Sequence, residues 1–81
     1  MEKKLSELKP GEKGIILRVE GSGATKRRIL DMGLVRGTEI KVIRRAPLGD
    51  PVEFLLKGYN LSLRKNEGDN VYVRVVEEGD K

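Results

Sequence analysis

The stretch TEIKVIRRAPLGDPVEFLLKGYNLSLR, Thr38 to Arg64, alternates apolar and polar residues in three short runs separated by two turn signals. Ile40 and Val42 share one face of the first run, with Lys41 and Arg45 opposite. Val52, Phe54 and Leu56 point together in the second, and Leu61 and Leu63 in the third. Successive side chains of a strand leave opposite faces, so this period of two predicts half-buried strands. The first break, APLGDP (Ala46 to Pro51), is a turn by composition. Pro47 and Pro51 fix backbone angles, Gly49 allows positive φ, and Asp50 can bond the turn backbone. Leu48 has no such role, and an apolar side chain at a loop tip is a candidate contact. The second break, GYN, is short enough for a hairpin.

The same pattern extends outward. In GIILRVE, Ile15, Leu17 and Val19 are expected on one face, and in NVYVRVV, Val71, Val73 and Val75. That makes five β-branched-rich strands. KNEGDN before the last of them predicts a tight or 3₁₀ turn. Short antiparallel strands at this spacing predict a mainly β protein, a small five-stranded barrel closed on itself so that no edge is left. GSGATKRRILDMG, Gly21 to Gly33, lacks the alternation and predicts one inserted short helix. Ser22 is placed to cap it, and Gly33 supplies a positive-φ stop. Ile29 and Met32, with Leu30 beside them, form its apolar side. LSELKPG predicts an N-terminal helical turn, with Leu5 and Leu8 plugging a barrel end. Ile16, Ile43, Leu55 and Val76 then fall on outward faces, and Leu34, Val35 and Leu48 in turns. Gathered into one patch they would mark a protein-binding surface.

Composition narrows the function. The chain has 81 residues, one domain over 1–81, too small to hold both a core and a deep substrate cavity. Without cysteine or histidine it has no disulfides, no thiolate or imidazole metal site and no histidine base. No apolar run exceeds three residues, and the N-terminus lacks the apolar core of a signal peptide, so a cytoplasmic location is expected. The net charge is +4, and it is uneven. Arg18 to Arg45 holds eight basic residues against Glu20, Asp31 and Glu39. That basic half suits an anionic partner such as an acidic protein surface, a phosphate or a nucleic acid.

GSGATK after a strand could hold an anion at a helix N-terminus, but it matches neither the P-loop nor the dinucleotide pattern. Asp31, Asp50, Glu53, Glu67 and Asp69 fall near turns, without a paired nucleophile or a calcium-loop spacing. No enzyme is expected, and no cofactor. A weak carboxylate site for a transition metal is one alternative, and a sensor role would follow from it. A small basic nucleic-acid-binding module is another. It would need stacking aromatics, and Phe54, Tyr59 and Tyr72 lie outside the basic half.

The ordered set RIL-DMGL (Arg28 to Leu34), Gly37, APLGDP, Gly58 and LSLR (Leu61 to Arg64), preceded by LSELKPGEKGIIL, resembles the FeoA family across almost the whole chain. Arg36 stands where the family often has proline, and Gly68 where it often has alanine. The resemblance implies an SH3-like barrel, a regulatory role in ferrous-iron transport, and a partner in the cytoplasmic GTP-binding domain of the FeoB transporter. The membrane would be reached only through that transporter. No nucleic acid is expected as a partner. On this reading the partner-binding residues are Arg27, Arg28, Leu30, Met32, Leu34, Arg36, Arg45, Pro47, Leu48 and Asp50. The leucines and Met32 would anchor, and the arginines would steer an acidic partner. Arg27, Arg28 and Arg45 are also the candidates for an arginine acting in trans on GTP.

Overall fold

The computed structural model describes residues 1–77. Six strands run β1 Glu2–Lys4, β2 Lys13–Val19, β3 Glu39–Arg45, β4 Val52–Leu56, β5 Tyr59–Leu63 and β6 Val71–Val76. Helix α1 spans Gly23–Asp31 and one-turn helix α2 spans Lys65–Gly68, with a 3₁₀ turn at Leu5–Glu7. All neighbouring strands are antiparallel, in the order β1-β6-β2-β3-β4-β5.

Four expectations are corrected here. Among the described residues there are six strands, and the sheet they form does not close: β1 and β5 are its two edges. The missed strand is the charged triplet Glu2-Lys3-Lys4, which has no apolar alternation and pairs with Arg74, Val73 and Tyr72 of β6. KNEGDN contains a turn of α-helix where a tight or 3₁₀ turn was expected. The Gly58–Asn60 break is also shorter than read. Leu56 pairs directly with Tyr59, so only Lys57 and Gly58 form the hairpin loop, with Gly58 at φ 89°.

The core lies on one face of the sheet and draws on every strand from β2 to β6. Phe54, Ile40, Val42, Leu56, Leu63, Val71, Val73 and Val75 are buried there, as the alternation requires. Leu5 and Leu8 of the N-terminal turn plug one end, and Ile29 of α1 is wholly enclosed. Two β-bulges change the phase of the alternation. In β2 the register shifts between Ile16 and Arg18. Ile16 is therefore fully buried, while Ile15 and Leu17 are only half-buried, the reverse of the expected order. Leu17 is the extra residue, and Val19 returns to the core beyond it. In β3 the shift falls between Val42 and Arg44, with Ile43 as the extra residue. Arg45 then lies opposite buried Val52 and shares its face, not the outer one. One inserted residue reverses every following side chain, which simple alternation cannot reveal.

Arg18 closes the β1 side of the sheet. Its guanidinium lies 4.3 Å from the Tyr72 ring centroid and bonds Glu2 at 2.7 Å and Glu20 at 2.9 Å. The hydrogen bond from Arg18 holds the Glu2 carboxyl below its ordinary pKa. Glu2 thereby favours the folded edge above its unfolded pKa, and that preference is lost as pH falls through the folded value.

Candidate functional site

The loop between β3 and β4 is braced at its base. Ala46 N–H donates to Pro51 O at 2.9 Å, and Gly49 N–H to Ala46 O at 2.7 Å. Gly49 sits at φ 90°. The Asp50 carboxylate accepts from Lys65 N–H at 2.9 Å, tying the loop to the start of α2 just beyond β5. Pro47 is exposed at the loop's start. Held up by these bonds, Leu48 is 97% exposed. An apolar side chain on a braced loop loses little entropy on docking.

Helix α1 starts at Ser22, whose backbone is extended as at an N-cap, but whose side chain makes no capping bond. It ends at Met32 and Gly33, the glycine at φ 97°. The Tyr59 hydroxyl donates to Met32 O at 2.7 Å, pinning this end of the helix to β5. Only Ile29 is buried along the helix. Leu30 is 37% exposed, and Met32 is partly covered against the core. Arg27 and Arg36 are exposed, and among the described residues neither carries an ion pair.

Two of the expected surface residues belong elsewhere. Leu34 has no exposed surface and is a core residue, so it cannot anchor a partner. Arg45, turned inward by the β3 bulge, donates from Nη2 to Leu8 O at 2.8 Å and Ser6 O at 3.1 Å. It satisfies carbonyls at the end of the N-terminal turn and is not a free steering charge. Arg28 is exposed but engaged with Glu67. Of the three arginines considered for action on GTP, Arg27 alone keeps an uncommitted guanidinium.

Arg28 nevertheless joins the two halves of the surface. With Pro51, Ser62, Arg64 and Glu67 it borders a single hollow, so α1 and the base of the loop meet there. Glu67 is the hinge of that meeting. Its residue is 8% exposed, one carboxylate oxygen accepts from Arg28, and the other accepts from Arg64 N–H at 3.0 Å. Nothing in the local alternation marks Glu67. Its only sequence signal is its place three residues after Arg64, the spacing at which an acid reaches back to a helix start. Glu67→Ala removes both bonds from a nearly buried position and should cost about 1–3 kcal/mol in urea unfolding. Glu67→Gln keeps the cap, loses an ion pair whose arginine is largely solvated, and should cost about 0.5–1 kcal/mol.

The other candidate chemistries find little to build on. Among the described residues no three carboxylates converge as a metal site would need. Asp50 and Glu67 cap backbone groups, Asp69 takes the Ser6 hydroxyl, and Glu53 pairs with Arg44 at 2.8 Å. The aromatics are dispersed. Phe54 is core, Tyr72 lies under Arg18 and the Tyr59 hydroxyl is tied to α1. Among the described residues no helix is long and apolar enough to cross a membrane.

Comparison with known proteins places this architecture. Residues 3–75 match the model of the FeoA domain. A relative from Porphyromonas gingivalis, an Fe(2+) transport protein A/Fe(2+) transporter FeoB fusion protein, is 44% identical over 73 residues. That match takes in 90% of this chain but only 9% of the relative's length. The solution structure of a FeoA-like protein from Clostridium acetobutylicum superposes with a TM-score of 0.88 at 40% identity, covering 95% of this chain and 90% of that one. The Stenotrophomonas maltophilia FeoA, crystallised with zinc and described as a procaryotic SH3 domain protein, gives a TM-score of 0.76 at 27% identity, covering 91% and 89%. The open, bulged antiparallel sheet seen here is thus an SH3-like one, and with nearly its whole length matched, the chain belongs to the FeoA domain family.

Proposed function

We propose that this protein is a non-catalytic interaction module of ferrous-iron transport, docking on the cytoplasmic GTP-binding domain of a FeoB transporter. The observation that carries the reading is the Porphyromonas gingivalis relative, in which a FeoA part and a FeoB transporter occur in one chain. Covalent linkage of two parts raises their effective concentration, which is useful where the two act on each other.

The surface supporting this role is smaller than the sequence suggested. It consists of Leu48 on its braced loop with Pro47 and Asp50, and of Leu30, Arg27 and Arg28 on α1 with Met32 at its end. Arg36 flanks it. Leu48 is the apolar anchor, since a residue 97% exposed alone gains most from being covered. Arg27 and Arg36 speed encounter with an acidic partner.

Leu48→Glu tests the site. The side chain makes no internal packing, so unfolding stability should move by less than about 0.5 kcal/mol. Binding to the FeoB domain should fall about 100-fold or more, as for an interface hot spot. Undiminished binding in a pull-down removes Leu48 from the site.

A further inference from the structure

A second hollow shares no residue with the loop or α1. It has a volume of about 710 Å³ and is bordered by Lys13, Thr38, Glu39, Lys41, Leu55 and Lys57. Leu55 lies on the outer side of β4, 42% exposed, directly opposite Lys41 of β3. Lys41 in turn lies directly opposite Lys13 of β2. Two like charges facing each other across strands repel. Among the described residues Glu39 is paired with Lys13, at 3.8 Å with both side chains well solvated. Lys57, in the β4–β5 hairpin, adds a third cation at the rim. Beside Gly58 and Gly37, which border the hollow, a Cβ would meet nothing within 4 Å, so the approach over both is open.

An unfavourable lysine pair beside a half-exposed leucine is explained by an occupant that is anionic and carries an apolar group. We propose that this groove binds an acidic peptide segment, with carboxylates between Lys13, Lys41 and Lys57 and an apolar side chain on Leu55. A concave groove fits a peptide better than a flat lipid surface. No aromatic residue lines it, so stacked nucleic-acid bases have no platform there. The proposal does not depend on the FeoB reading, because that reading uses other residues.

The test is an amide-shift titration of the full ¹⁵N-labelled chain with a short peptide of paired glutamates and leucines. Shifts should concentrate at Lys13, Thr38, Lys41, Leu55, Lys57 and Gly58, and a matched peptide with lysine for glutamate should give none. The double variant Lys41→Glu/Lys57→Glu should weaken binding by about tenfold or more, and Leu55→Ser should weaken it without altering salt dependence. Shifts confined to α1 or the Ala46–Pro51 loop, an unchanged affinity in both variants, or no response at about millimolar peptide would overturn the proposal. So would equal groove shifts with vesicles containing phosphatidylglycerol, which would assign the lysines to a lipid surface.

Discussion

Phe54→Ala is expected to leave the protein close to its folding limit. Phe54 is 1% exposed, and it faces Val42 on one neighbouring strand and Leu61 on the other. It is the only phenylalanine and heads the fully buried side chains by volume. Truncating such a residue loses its transfer free energy and leaves a cavity, together about 3–5 kcal/mol. At the usual stability per residue, a chain of this size has about 4–12 kcal/mol in total. The bulged, twisted sheet around Phe54 is bonded on both sides and cannot readily collapse into the gap. The melting temperature should therefore fall by about 15–30 °C, read by circular dichroism. A loss below about 1 kcal/mol would mean that the core repacks, contrary to the enclosed arrangement described above.

Gly33→Ala should be the next most damaging change, for a different reason. Gly33 is at φ 97°, where a Cβ is strained, and a Cβ built there overlaps the Tyr59 hydroxyl. That hydroxyl donates to Met32 O, so the change strains the turn and evicts the bond that pins α1 to β5. The two effects sum to about 2–3 kcal/mol. Tyr59→Phe alone should cost about 0.5–1.5 kcal/mol, the worth of one such bond. Combined, the two changes should cost less than their sum, because removing the hydroxyl removes most of the overlap. Strict additivity in urea unfolding would show that the glycine serves the backbone angle only.

These two residues also mark the limits of what was legible from sequence. Phe54 sits in an unbroken run of alternation between two turn signals, and its burial followed from that alone. Gly33 was readable as a helix stop, but Tyr59, which explains why no larger residue fits, is 26 positions away and shows no local signal of contact. Arg45 and Ile16 were misplaced for one shared reason. Each follows or precedes a bulge, and a bulge changes the face of the strand without changing its composition. The closed barrel was inferred from strand spacing, which says that strands pair but not whether the first meets the last. The charged β1 supplied an edge that no apolar pattern announces.

At the candidate site the loop was the more legible part. Proline, glycine and aspartate each have a local reason to be in APLGDP, which left Leu48 conspicuous, and it is the most exposed large apolar residue described. The helix was less legible. Its arginines look alike in sequence, yet Arg28 is engaged by Glu67 and Arg27 is not. That distinction depends on a carboxylate from another turn of the chain, and the burial of Leu34 likewise depends on tertiary packing, in the shared apolar core. Family resemblance supplied the proposed partner, which no residue pattern here could have named.

The most direct test of the account is calorimetric titration of this protein into the GTP-binding domain of a FeoB transporter, loaded in turn with GDP and with a non-hydrolysable GTP analogue. Saturable binding, micromolar or tighter at about −8 kcal/mol or below, is expected, lost on Leu48→Glu and retained on Glu67→Gln. Absence of heat in both nucleotide states, or binding indifferent to Leu48→Glu, would contradict it.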